Sequence, residues 1–269
     1  MTAKEEDGSV EVRGVRLAWD ARGPVVGSPF LWAHGLMFSR ALERRLHLFG
    51  WDAVAEQRRV IAYDARGHGQ STATSDPNDY RWEALATDLL TLADELGLDR
   101  FVGAGSSMGA GTMLHAALAA PERFAALVLV IPPTAWDNRP AQAQLYEVGA
   151  QLVRDHGVDQ FVELISAMPP PPALATEPDL FHFVPSPPPV ALPVVLEGAA
   201  RTDLPPLDQV ATLDQPTLVL AWDGDAGHPL ATAERLVDTM PNARLEVAGD
   251  LVAVRAWGQS VSAFLGSVE

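Results

Sequence analysis

Phe101-Val-Gly-Ala-Gly105-Ser106-Ser107-Met108-Gly109-Ala110 is the stretch on which the fold turns. Phe101 to Ser106 is an apolar run of strand length, and Met108 to Ala120 is a small-residue stretch of helical length. Between them, Gly105-Ser106-Ser107-Met108-Gly109 is a G-x-S-x-G at a strand-to-helix junction. A serine on so tight a turn needs small flanking residues, because the backbone doubles back and a Cβ there would collide; its hydroxyl is pushed out above the strand end. The Met108 amide opens the helix, where N–H groups and the helix dipole favour negative charge, so it could hold an oxyanion formed when Ser107 attacks a carbonyl. Ser106 is a second hydroxyl, but only Ser107 is central between the glycines. The bland alternative is a turn used for packing alone. A dinucleotide site built on Gly103-Ala104-Gly105 fails, because the next strand ends Leu129-Val130-Ile131-Pro132-Pro133 with no carboxylate to hold a ribose.

Outward from this junction, strand-length apolar runs alternate with helical periodicity, the pattern of a mostly parallel sheet covered by helices. Val10 to Trp19 reads as a hairpin-like strand pair, Phe30 to Ala33 as a short buried strand, Ser39 to Gln57 as helical, and Arg59 to Tyr63 as strand. A helix over Arg81 to Leu96 places Leu85, Leu89, Leu92 and Leu96 on one face, and Gly97 stops it. Phe124 to Ile131 is a buried strand. The alternation then breaks. From Pro133 to Pro216 short helical stretches, Gln142 to His156 and Gln160 to Met168, are interrupted by Pro169 to Pro172 and Pro185-Ser-Pro-Pro-Pro189. Prolines at that density cannot sit inside regular elements, so the segment reads as an inserted cap. Alternation resumes with a strand at Thr217 to Trp222, a helix at Pro229 to Met240, a strand at Arg244 to Ala248 and a helix at Val254 to Leu265. The expected organisation is a core of residues 1–133 and 216–269 with a Pro-rich helical cap over 134–215.

Composition narrows the chemistry. The 269 residues include no Cys and a single Lys, Lys4, so thiolate nucleophiles, disulfides, Cys-ligated zinc, Schiff-base catalysis and a P-loop are all excluded. A net charge of −16 repels phosphate backbones and anionic membranes, and the acidic N-terminus lacks an apolar signal core. The expected setting is cytoplasmic, with a small-molecule substrate, no nucleic acid and no membrane; a homodimer stays open.

Four landmarks in order, Trp32-Ala-His-Gly-Leu36, Asp64-Ala-Arg-Gly-His-Gly-Gln-Ser71, Gly105-Ser-Ser-Met-Gly109 and Pro216-Thr-Leu-Val-Leu-Ala-Trp-Asp-Gly-Asp225, resemble those of the α/β-hydrolase family over nearly the whole chain. The resemblance implies an α/β fold with an eight-stranded, mostly parallel sheet, a cap after the sixth strand, and a serine, acid, histidine order along the chain. It implies an oxyanion hole completed by the Leu36 amide beside Met108, and an acid on the loop after Thr217 to Trp222. Asp223 and Asp225 compete there. The family spacing, an acid four residues before the Pro that opens the next helix, favours Asp225 because Pro229 fits. Asp64 and Arg66 are expected to pair and tie the second landmark into place. His34, Met37, Ser106 and His182 are candidate pocket residues, and His34 also competes for the base.

The family's late histidine is missing. The chain reads Ala248-Gly249-Asp250-Leu251 where a Gly-His pair belongs, and no His occurs from Pro229 to Glu269. Asp250 occupies the expected place, but a carboxylate of ordinary pKa is a poor base for a serine hydroxyl near neutral pH, so the standard serine, histidine, acid reading does not simply carry over. His47, His115 and His156 fall in helical or cap segments, leaving His228, three residues after Asp225, as the side chain whose loop could compensate. The leading expectation is therefore a serine hydrolase for an ester, thioester or lactone of a small hydrophobic substrate, as an esterase or lactonase is, with Ser107, His228 and Asp225 catalytic and no metal or organic cofactor. The apolar cap residues Phe161, Leu164, Met168, Phe181, Phe183 and Val184 suggest the substrate class. A lyase, cyclase or ring-opening enzyme on the same fold, or a binding protein that has lost catalysis, are the alternatives.

Overall fold

A computed structural model describes residues 5–180 and 183–268 of the chain. Eight strands form one sheet: β1 (Glu6–Val12), β2 (Val15–Arg22), β3 (Phe30–Ala33), β4 (Val60–Tyr63), β5 (Phe101–Ser106), β6 (Phe124–Val130), β7 (Thr217–Trp222) and β8 (Ala243–Ala248). Their order across the sheet is β1-β2-β4-β3-β5-β6-β7-β8. The β1/β2 and β2/β4 pairs are antiparallel and the rest parallel, so the six strands from β4 onward end on one common edge.

The helices are α1 (Arg40–Leu46), α2 (Asp52–Ala55), α3 (Trp82–Glu95), α4 (Met108–Ala119), α5 (Arg139–Ser166), α6 (Leu192–Ala200), α7 (Leu207–Val210), α8 (Leu230–Thr239) and α9 (Leu251–Val268). Alternation along the strands sorts the core onto two faces. Leu31, Ala33, Leu127, Leu129 and Val219 pack with α3, α4, α7 and α8, whereas Phe30, Trp32, Val128, Val130 and Leu220 pack with α2 and α9. A third, smaller cluster joins Ala150, Val153 and Phe161 of α5 to Leu192 and Leu196 of α6, and Leu36 and Met37 pack against it. The segment between β6 and β7 thus rests on the loop after β3. Among the described residues no helix is long and apolar enough to cross a membrane.

Two local expectations are corrected, at Ser39 to Gln57 and at Asp64 with Arg66, and the two helical stretches expected on either side of Gly157 are found. Ser39 to Gln57 is not one helix: α1 ends at His47, whose φ of 49° closes a left-handed C-cap, and the chain restarts only at α2. The stretches before and after residue 157 are two helical rods meeting end to end within α5 at Gly157, where φ is 84° and ψ 174°. Asp64 and Arg66 do not pair. Asp64 accepts from the Arg40 amide at 2.9 Å and from its guanidinium at 3.1 Å, while Arg66 donates twice to Asp88, at 2.8 and 2.9 Å. Adjacent side chains around a tight turn diverge, so each finds its partner on a different helix.

Candidate active site

Ser107 sits at φ 50° and ψ −108°, between the last residue of β5 and the first of α4. A non-glycine residue with positive φ is strained by roughly 1–3 kcal/mol, and such strain persists only where packing over-determines it. Here the determinants are explicit. A Cβ on Gly105 would lie 2.4 Å from the Gly109 carbonyl carbon, and one on Gly109 would lie 2.1 Å from the Ala33 carbonyl oxygen. Only two glycines let β5, α4 and β3 approach this closely. The Ser107 amide donates to Val130 O at 3.0 Å and its carbonyl accepts from Gly111 N–H at 3.1 Å, which pins the turn on both sides.

The loop after β7 delivers the partner. The Ser107 hydroxyl and His228 Nε2 are 2.9 Å apart, and His228 Nδ1 is 2.8 Å from Asp225 Oδ2. A carboxylate only accepts, so Nδ1 carries the proton and donates to Asp225, which leaves the Nε2 lone pair to accept from Ser107 Oγ–H. Asp225 also accepts from Trp222 Nε1–H at 2.9 Å through the same Oδ2, and from the Gly227 amide at 2.8 Å through Oδ1. Burial pushes the Asp225 pKa upward; the His228 charge and hydrogen bond, the Gly227 amide and the Trp222 indole outweigh it and hold the carboxyl well below the usual range. It stays an anion. Trp222 meets the His228 ring nearly edge-on, at 84° with centroids 6.3 Å apart. The loop itself is a tight turn: Gly224 has φ 76°, and a Cβ there would reach to 2.7 Å from Pro172 Cγ.

The competing carboxylates are elsewhere. Asp223 is exposed and accepts from the adjacent Gly224 amide. Asp250, where the family histidine would stand, is exposed and accepts from the Ala253 amide at 2.8 Å, as an N-cap of α9 does.

The two other faces of Ser107 belong to backbone. A Cβ on Gly35 would lie 3.7 Å from Ser107 Cβ, so the loop after β3 passes directly beside the serine. No acceptor among the described residues takes the Leu36 or Met108 amide. Met108 is the first residue of α4, where the helix offers no partner to its N–H.

Three candidate pocket residues are placed by the structure, two of them contrary to expectation. His34 is 1% exposed: its Nε2 accepts from the Ala65 amide at 3.0 Å and its Nδ1–H donates to Gly35 O at 2.8 Å, so neither nitrogen is left for a ligand or a proton transfer. Burial lowers its pKa, which suits a neutral ring bonded in this way. Ser106 is 2% exposed beneath Gly35, the position a buried strand end gives it. Met37 is partly exposed at φ 67°, packs against the α5–α6 cluster and accepts from the Ser186 amide at 2.8 Å through its carbonyl. His182 lies outside the described residues. Trp222 and Thr134, which contact the acid–base loop, were not legible as site residues. An indole three residues before the acid was the available signal for Trp222; Thr134 meets the loop across 92 residues of chain and left none.

A doubly wound sheet with a strained serine between β5 and α4, and an acid and a histidine after β7, defines a class of α/β enzymes in which the site stands at the strand C-terminal edge. The chain belongs to the α/β-hydrolase family: the family profile described as alpha/beta hydrolase fold matches residues 29–169. It is 30% identical over 204 residues to a protein named "Putative carbamate hydrolase RutD" from Stutzerimonas stutzeri, covering 72% of this chain and 74% of that one. It is 28% identical over 219 residues to 3-oxoadipate enol-lactonase 2 from Acinetobacter baylyi, covering 79% of each. A thermophilic esterase from Thermogutta terrifontis superposes with a TM-score of 0.81 at 25% identity, over 98% of this chain and 99% of the esterase.

Proposed function

We propose that the protein is a serine hydrolase that cleaves an ester, thioester or lactone of a small hydrophobic acyl substrate. One observation carries this: the unbroken series Ser107 Oγ to His228 Nε2 at 2.9 Å and His228 Nδ1 to Asp225 Oδ2 at 2.8 Å. In the proposed reaction Ser107 Oγ attacks the substrate carbonyl as its proton passes to His228 Nε2, and Asp225, remaining ionised, stabilises the imidazolium. Negative charge develops on the carbonyl oxygen, where the Leu36 and Met108 amides are free to donate, and preorganised donors of this kind supply the largest single share of such catalysis. His228 then protonates the departing alcohol, thiol or enol oxygen, leaving an acyl–Ser107 ester. Water, deprotonated by the same nitrogen, releases the acid and restores Ser107.

The segment 134–215 acts in this proposal as a cap. Its α5–α6 cluster packs on Leu36 and Met37, and its Pro172 packs on the acid–base loop, so an acyl chain entering beside Ser107 meets apolar walls. Relatives named as a putative carbamate hydrolase and an enol-lactonase support a hydrolytic reading of the same fold. Treatment with a fluorophosphonate tests the chemistry: the wild type is expected to be labelled and Ser107→Ala is not, and an unlabelled wild type removes the proposal.

A further inference from the structure

The sheet order sets a mechanical problem for this site. Ser107 rides on the end of β5 and His228 on the loop after β7, and β6 lies between them. Neighbouring strands are about 4.8 Å apart, so the histidine must reach across a full strand to meet the serine. The bonds from Asp225 to Gly227 and His228 are internal to the loop. They shape it without fixing where it stands over β6. With Gly224 and Gly227 in it, the backbone is also soft.

Thr134, on the chain just beyond β6, supplies an anchor from below. Its amide donates to Gly227 O at 3.0 Å, and its hydroxyl lies 3.0 Å from both Ala226 O and Gly227 O, the two carbonyls between the acid and the histidine. Thr134 is in turn held. Its own carbonyl accepts from the Arg139 guanidinium at 3.2 Å, and that same group donates to Thr202 O at 2.7 Å and Ala199 O at 2.5 Å, at the C-terminal end of α6. Arg139 is 4% exposed, with its guanidinium over the Trp82 ring at 4.4 Å, so this chain of contacts is buried from α6 to Thr134 and part-buried where Thr134 meets the loop.

Resting on the serine-hydrolase proposal, we infer that Thr134 is a positioning residue whose hydroxyl holds loop 223–228 over β6, so that His228 Nε2 stays within hydrogen-bond reach of Ser107 Oγ. Thr134 takes no part in bond making. It acts through the place of the histidine, and displacements of an ångström there cost roughly 100-fold in rate.

The test compares Thr134→Val, which keeps the shape and the amide but removes the hydroxyl, with Thr134→Ser, which restores it. Turnover of a p-nitrophenyl acyl ester, fluorophosphonate labelling rate and thermal midpoint are measured for each. The valine variant is expected to lose about 10- to 100-fold in kcat with KM changed less than about twofold, and in labelling rate by a similar factor. The serine variant recovers most of both, and the two melt within a few degrees of the wild type. A valine variant with wild-type kcat overturns the inference while the serine chemistry stands. A serine variant as impaired as the valine one, or losses that follow the fraction unfolded, assigns Thr134 to stability alone and also overturns it. A wild type that neither reacts with fluorophosphonate nor turns over the ester overturns the serine proposal itself, before any variant is made.

Discussion

His228 follows Asp225 by three residues, and the 2.8 Å hydrogen bond from its Nδ1–H to Asp225 Oδ2 closes within one turn of backbone, so the proposed acid and base stand on a single loop. In the order implied by the family resemblance they come from two loops, after β7 and after β8. Here the second has become a helix cap. Loss of the His228 imidazole in His228→Ala is expected to reduce ester turnover on the order of 10³-fold or more, since Ser107 is left without an acceptor for its proton. Asp250→Ala is the contrasting variant: it removes the Ala253 cap bond and costs about 1 kcal/mol in denaturant unfolding, with turnover unchanged. Turnover lost in Asp250→Ala and kept in His228→Ala would reverse the assignment.

Asp225 is held ionised by two donors, the Trp222 indole and the Gly227 amide, as well as the histidine, and this links it to stability. Its folded-state pKa is depressed, so its contribution is present above the ordinary carboxylate range, near 4, and disappears as pH falls toward the depressed value. Asp225→Asn removes that contribution. The expected result is a stability gap between wild type and variant that is open at pH 7 and closes on acidification below about 4, together with a kcat lower by on the order of 10³-fold as the imidazole loses its orienting acceptor. Chemical denaturation across pH and ester kinetics at pH 7 measure the two effects separately.

The alternation of strand and helix was legible because both faces of the sheet are covered, which makes buried strands read as unbroken apolar runs such as Phe124 to Val130. That Ser107, Asp225 and His228 come together was legible for a different reason: each lies on a short loop at a strand end, where local spacing survives into geometry. The pairing of charged residues was not. Asp64 and Arg66 are two apart in sequence, yet each bonds to a helix, α1 and α3, whose position depends on the whole sheet. His34 looked like a pocket residue by its neighbours, and only the approach of the Ala65 amide reveals that both its nitrogens are used. Thr134 and Ala226 meet because β6 and β7 are adjacent, a relation fixed by sheet order and not by any motif.

Gly109 tests the strained turn directly. A methyl group there would stand 2.1 Å from Ala33 O, a backbone atom in the central strand β3 that cannot move aside. Gly109→Ala is expected to destabilise the fold by about 2–4 kcal/mol, and to abolish fluorophosphonate labelling of the remaining folded protein because Ser107 is displaced. Gly97→Ala offers the comparison: its φ is 65°, but nothing lies within 4 Å of the added carbon. It is expected to cost only about 1 kcal/mol, with labelling retained.

Glu43 gives the molecule a stability that falls with rising pH. Its carboxyl is buried beneath the loop after β3, where Oε2 accepts from Trp32 Nε1–H at 2.6 Å and Oε1 has no partner among the described residues. Burial pushes its pKa from 4.5 up to about 8, against the smaller opposing effect of the Trp32 bond. The folded protein therefore binds a proton that the unfolded chain releases between those two values. That contribution is fully present below pH 4.5 and is lost as pH rises through about 8. Glu43→Gln keeps the size of the side chain and an acceptor for Trp32, and it cannot ionise. Its unfolding free energy is expected to lack this decline, so that it exceeds the wild type by on the order of 2 kcal/mol at pH 9 while the difference shrinks or reverses at pH 5. Urea unfolding of both proteins at the two pH values decides the matter, and parallel curves would show that the Glu43 carboxyl is ionised in the folded state throughout.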